Sequence, residues 1–88
     1  MKRIVILGAA ESGVGAAALA KKKGFEVFVS DMSAIKDKYK AMLDKRQIEW
    51  EEGQHSEEKI LNADEIIKSP GIPKEAPMVQ KAIKKGIH

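Results

Sequence analysis

A chain of 88 residues makes one domain at most, and its 43% apolar and 33% charged residues describe a globular chain rather than a disordered or membrane-spanning one. The absence of cysteine excludes a disulfide and any thiolate metal site. A net charge of +3, with one Trp and one Tyr beside the lysines, is too weak a signal for nucleic-acid binding.

Ile4-Val5-Ile6-Leu7 is a continuous apolar run closed by Gly8. That pattern suits a strand buried on both faces of a parallel sheet. The run is too short for a secretory segment or a membrane helix, so a cytoplasmic chain is expected. Ser12 to Lys23 is alanine-rich and free of proline, a helix that Gly24 stops. Val27-Phe28-Val29 is the second strand, ending at Ser30-Asp31. Ile35, Tyr39, Met42 and Leu43 mark one face of a second helix over Ala34–Lys45. Ile48 to Glu51 is a short third strand. Ser56 with Glu57 and Glu58 reads as a capped helix start, anchored by Ile60 and Leu61.

Glu65-Ile66-Ile67-Lys68 is the fourth strand, and Ser69-Pro70-Gly71-Ile72-Pro73 is a turn that two prolines stiffen. Ala76 to Lys85 is the last helix, with Met78, Val79, Ala82 and Ile83 apolar, and Gly86 stops it. Ile87-His88 reads as the first step of a fifth strand. Strands and helices therefore alternate, which predicts a Rossmann-like α/β fold. It would be an open parallel sheet of four to five strands with helices on both faces. The lysine groups at 21–23, 36–40 and 81–85 read as solvated helix faces and as cations suited to helix ends. His55 and His88 stand apart and read as surface residues. Glu51-Glu52 and Glu57-Glu58 read as solvated acids, not paired catalysts, and no catalytic residue is assigned.

Three segments carry chemistry. Gly8-Ala9-Ala10-Glu11-Ser12-Gly13 joins the first strand to the first helix. A dinucleotide fingerprint reads G-x-G-x-x-G there, so Gly8 and Gly13 match and Ala10 replaces the middle glycine. The Ala10 methyl would crowd a closely docked pyrophosphate. Ser12 can cap the helix or offer its hydroxyl to a phosphate, and the helix N-terminus supplies free N–H groups. A bare strand-to-helix turn is the alternative. Asp31 ends the second strand, where an acid in such folds accepts hydrogen bonds from ribose hydroxyls; a helix cap is the alternative. Ser69-Pro70-Gly71 follows the fourth strand and could meet the other two in one crevice, or be no more than a rigid loop. No G-x-x-x-x-G-K-[ST] loop is present.

Together Ile4–Gly13, Val29-Ser30-Asp31 and Lys68-Ser69-Pro70-Gly71-Ile72-Pro73 resemble the N-terminal domain of the Mur ligases, nearest to their D-glutamate-adding branch. The resemblance covers essentially the whole chain, and the Ser-Pro-Gly-Ile-Pro run discriminates most. It implies a UDP-substrate-binding domain over residues 1–88, a fragment of a ligase of peptidoglycan and cell-wall synthesis, a process tied to cell division. The implied substrate is UDP-N-acetylmuramoyl-L-alanine. Ser12 and Gly13 would sit at the diphosphate, and Asp31, Met32 and Ser33 would face the uracil. Ser69, Pro70 and Gly71 would line the sugar-diphosphate side. ATP, magnesium and D-glutamate are implied for the full enzyme, through domains that these residues do not supply. Ala10 departs from the family's usual glycine. The rival is an NAD-binding module of a dehydrogenase or a channel regulator, which has no use for Ser69-Pro70-Gly71. A receiver-like domain would want an acidic cluster after the first strand, and none stands there.

Overall fold

The computed structural model describes residues 1–87. Strands and helices alternate as β1 (Arg3–Leu7), α1 (Glu11–Lys22), β2 (Glu26–Asp31), α2 (Asp37–Lys45), β3 (Glu49–Glu52), α3 (Glu57–Ile60), β4 (Glu65–Lys68) and α4 (Pro77–Lys84). The four strands form one parallel sheet in the order β3-β2-β1-β4. This bears out the α/β Rossmann-like class. Ile87 belongs to no strand, and His88 lies outside the described residues, so the fifth strand has no counterpart among them.

The continuous apolar run of β1 is explained by its central place. Ile4 and Ile6 face one side of the sheet and pack with Val27 and Val29 against Val14, Ala17 and Ala20 of α1 and Leu43 of α2. Val5 and Leu7 face the other side and pack with Phe28 against Ile60 of α3 and Met78 and Val79 of α4. Right-handed crossovers dictate this division. β1, β2 and β3 advance in one direction, which keeps α1 and α2 on one face. The connection from β3 to β4 returns past β1, so α3 lies on the opposite face. The order of the strands thus reverses between β1 and β4, and ligands of open α/β sheets bind at such reversals.

Several local expectations are corrected. α1 starts at Glu11, and its N-cap is Ala10, not Ser12. The extended Ala10 already accepts the Val14 N–H at 2.9 Å through its carbonyl, which leaves the Ser12 hydroxyl inside the first turn. α2 starts at Asp37, three residues late. Ile35 shares the helical phase of Tyr39 and Leu43, yet it is buried from an irregular segment whose N–H is held by Glu52 Oε1 at 2.8 Å. Met42 and Ile83 lie 40% and 54% exposed and do not belong to the inward faces of their helices. Lys36 precedes α2 rather than ending it, and Lys40 pairs with Glu52 at 2.9 Å. Lys21, Lys22, Lys81 and Lys84 do occupy last turns, where cations suit the helix dipole.

Candidate functional site

All four strands end on the same edge of the sheet, and the loops that leave them meet there. β1 is tied to both neighbours just past its end: Gly8 N–H donates to the Ser30 carbonyl and Ser69 N–H to the Leu7 carbonyl, each at 2.8 Å. The chain then turns sharply into α1. Gly8 holds φ +102°, and a Cβ there would stand 2.7 Å from the Cβ of Ser69. A Cβ on Gly13 would stand 1.9 Å from the carbonyl oxygen of Gly8. These two glycines therefore let α1 and the loop after β4 close onto the end of β1. Ala10 is exposed and extended, so nothing in the fold demands a glycine there.

Ser12 and Gly13 line a groove of about 170 Å³ together with Lys68, Ser69 and Pro70. The backbone N–H groups of Glu11, Ser12 and Gly13 have no carbonyl partner among the described residues, as a first helical turn requires. The Ser12 side chain and Glu11 are exposed, Ser69 is half-buried, and Pro70 and Gly71 are exposed beside it. Gly71 N–H stands a loose 3.4 Å from Ser69 Oγ. The groove thus combines free N–H donors with the serines Ser12 and Ser69, a set suited to an anion such as a diphosphate.

Asp31 stands next to this groove and is not a helix cap, since α2 begins six residues later. Its Oδ2 accepts the Ala9 N–H at 2.8 Å, and its Oδ1 accepts the Ser33 N–H at 2.9 Å. The first bond latches the β2 loop to the glycine loop; the second folds the Asp31-Met32-Ser33 turn on itself. Each oxygen keeps a lone pair for a further donor. Met32 is 59% exposed, and Ser33 is exposed beside it.

A second cluster lies behind Asp31, on the α3 side of the sheet, built from residues that no sequence motif marks as a site. Glu51 is only 8% exposed, and Ser30 is fully buried. Glu51 Oε2 accepts the Ser30 hydroxyl at 2.7 Å and the Ser56 N–H at 2.8 Å, while Oε1 accepts the Ser56 hydroxyl at 2.6 Å. Burial pushes the Glu51 carboxyl up, but these bonds from Ser56 and Ser30, with Lys59 nearby, outweigh it and hold it below its ordinary value. Ser56 is thus the N-cap residue of α3, but its hydroxyl bonds Glu51 instead of the first turn of the helix. Glu51 and Glu52 are structural groups, not solvated acids.

His55 is half-buried rather than a surface residue, with Nδ1 2.7 Å from Ser30 Oγ. Burial lowers its pKa, against the pull of Glu51 and Asp31. The ring lines a cleft of about 380 Å³ with Met32, Gln54, Pro77 and Met78. The alternation of β3 is the signal for Glu51: Ile48 and Trp50 face the α1–α2 side, so Glu51 must face α3.

Another cleft, of about 430 Å³, lies beside Leu19, Lys21, Lys22 and Arg46. It sits at the end of α1 remote from the strand-end loops, so it is larger than the groove but has no part in this site. Among the described residues no group of three or more His, Cys, Asp or Glu side chains could hold a metal ion, and no helix is long and apolar enough to cross a membrane.

The chain is similar to proteins of one known family over nearly its whole length. Residues 2–88 match the family described as Mur ligase MurD-like, N-terminal domain. The UDP-N-acetylmuramoylalanine–D-glutamate ligase of Bacteroides thetaiotaomicron is 75% identical over 81 residues, which are 92% of this chain and 18% of that protein. The enzyme of the same name from Bacteroides fragilis is 66% identical over 86 residues, 98% of this chain and 19% of its own length. The chain thus spans about a fifth of these relatives. A crystal structure of UDP-N-acetylmuramate:L-alanyl-gamma-D-glutamyl-meso-diaminopimelate ligase from Neisseria meningitides superposes with a TM-score of 0.83 at 26% identity, covering 99% of this chain and 27% of that one.

Proposed function

The chain belongs to the MurD-like N-terminal domains of the Mur ligases, and from that membership we propose that its strand-end crevice binds the UDP portion of UDP-N-acetylmuramoyl-L-alanine for an ATP-dependent ligase that adds D-glutamate in peptidoglycan synthesis. The observation that carries the proposal is the shared groove of Ser12, Gly13, Ser69 and Pro70 at the reversal of strand order. In this reading the free N–H groups of Ser12 and Gly13 and the two serine hydroxyls hold the diphosphate. Asp31, Met32 and Ser33 meet the uridine, and Ser69, Pro70 and Gly71 border the sugar side.

Residues 1–88 form the substrate-binding domain in this proposal. Among the described residues no cluster of side chains fits magnesium, and no lysine-bearing glycine loop fits ATP. Activation of the carboxylate and attack by D-glutamate are assigned to the remainder of the ligase, in the cytoplasm. The domain's own part is to bind and orient the nucleotide end of the substrate. Titration of the 88-residue chain with UDP, followed by backbone amide shifts, tests this. The expected shifts fall on residues 9–13, 31–33 and 69–71. Shifts confined to other loops, or none at millimolar UDP, refute it.

A further inference from the structure

Helices and strands of a parallel α/β chain run in opposite directions, so α1 and α2 finish at the edge where β2 and β3 begin, away from the crevice. The cleft of about 430 Å³ lies between these two helix ends. Ala18 and Leu19 give it an apolar lining, and the methylene stems of Lys21, Lys22 and Arg46 extend that lining beneath their charges. Leu19 is 56% exposed and stands off the inward face of α1, which is Val14, Ala17 and Ala20. A lone exposed leucine is ordinary on a protein surface. This one stands in a concavity bordered by cations.

The positive charge there is uncompensated. Lys23 caps α1 and Lys45 ends α2, beside the three cations that line the cleft. None of these five side chains pairs with a carboxylate among the described residues. Nearby acids are engaged elsewhere: Asp44 accepts the Trp50 Nε1–H at 2.8 Å, and Glu26 pairs with Arg3. The two helix ends bring only about half a unit of negative charge each, so most of the positive charge remains. A hollow apolar lining with surplus cations around it fits a bulky apolar side chain that has carboxylates on either side. A lipid surface would supply the anions, but it is flat where this site is concave.

We infer that this cleft is a docking site for an acidic protein segment, which sets a large apolar side chain against Leu19 while its carboxylates meet Lys21, Lys22 and Arg46. A segment docked there leaves the crevice at the opposite edge open. The inference does not rest on the UDP reading.

Backbone amide shifts of the 88-residue chain, titrated with the capped peptide Glu-Asp-Phe-Glu-Asp, test it. Shifts are expected on residues 18–23 and 45–47, with residues 9–13 and 69–71 silent. Replacing the central Phe of the peptide by Gly should weaken binding about tenfold or more, through lost apolar burial. Lys22→Glu combined with Arg46→Glu should weaken it at least as much. Lys36→Glu combined with Lys38→Glu makes the same change in net charge at the start of α2, about a Debye length or more from the cleft, and should leave binding nearly unchanged. All four positions are exposed, and the rest of the amide spectrum reports an intact fold. Equal binding of the Phe and Gly peptides overturns the inference, because charge attraction alone would then suffice. An equal loss in the two double variants overturns it as well, since net charge and not the cleft would be responsible. Absence of shifts at millimolar peptide, with binding to phosphatidylglycerol vesicles instead, would make this face a membrane contact; absence of both would make it bare solvated surface.

Discussion

The carboxylate of Asp31 accepts the backbone N–H of Ala9 at 2.8 Å, across 22 residues of sequence, and so latches the turn after β2 to the turn after β1. Its other oxygen accepts the Ser33 N–H. One side chain therefore sets two of the three loops of the crevice. Asp31→Ala should cost about 1.5–3 kcal/mol of stability, the range for hydrogen bonds to a charged group. It should also weaken UDP binding, by releasing the loops and removing an acceptor. Asp31→Asn keeps one acceptor oxygen and should recover part of both losses. Chemical denaturation and UDP titration of the two variants check this. Full stability in Asp31→Ala would show that the latch is idle.

Gly8 and Gly13 hold the turn together by steric necessity. At Gly8 a methyl group meets both a left-handed backbone and the Ser69 Cβ; at Gly13 it meets the Gly8 carbonyl oxygen, which cannot move without unpicking β1. Each change to Ala should destabilise by about 1–3 kcal/mol or more, with Gly13→Ala the worse. In a domain of this size each kcal/mol lowers Tm by roughly 4–8 °C. Gly15 is the control. It lies in α1, and a Cβ there meets nothing within 4 Å. Gly15→Ala should stabilise by about 0.5–1 kcal/mol through helix propensity. Thermal melts that rank Gly15→Ala below Gly13→Ala contradict the geometry.

The parts of this architecture that sequence reveals are those where one pattern has one cause. The unbroken run Ile4–Leu7 means burial on both faces, and Gly8 and Gly13 mark a turn that tolerates no side chain. The start of α2 is not legible, because Ile35 keeps helical phase with Tyr39 by coincidence while its backbone is held by Glu52. Nor is the Ser30–Glu51–His55 cluster. Glu49-Trp50-Glu51-Glu52 looks uniformly charged, and the groups that satisfy Glu51 lie 5 and 21 residues away. A buried carboxylate shows itself only when its donors are known. Nor does the sequence separate Ser12 from Ala10, whose side chain cannot cap but whose backbone holds the cap position.

Acid should destabilise the domain in two steps of the same sign. His55 is held below its ordinary value of 6.5 in the folded chain. The unfolded chain then binds more protons, so the stability contributed by neutral His55 is complete above pH 6.5 and is lost as pH falls through its folded value. Glu51 is likewise held below 4.5, so its contribution is complete above that pH and is lost as pH falls through its own folded value. Lys59 and Asp31 are the other charges that act on the pair. Urea midpoints measured from pH 7.5 to 3.5 should fall first below pH 6.5, then again below 4.5. In His55→Phe the first fall should vanish while the second remains. An unchanged first fall would assign it to another group.

Nucleotide preference separates a UDP site from a dinucleotide site, and Ala10 is the residue that bears on it. NAD binding in a fold of this class presses the pyrophosphate against the middle position of the glycine loop, where this chain carries a methyl group. A UDP-sugar diphosphate has a second support, because Ser69 and Pro70 share the groove with Ser12 and Gly13. UDP should therefore bind the 88-residue chain more tightly than NAD. Ala10→Gly should preserve or improve UDP binding: the residue is exposed, extended and the cap of α1, a position where Gly does better than Ala. Ser69→Ala should weaken UDP and leave NAD unchanged. Parallel calorimetric titrations of both nucleotides decide the matter. Tighter binding of NAD than UDP, with Ser69→Ala silent toward both, would mean that the turn after β4 has no part in ligand binding and that the crevice is a dinucleotide site.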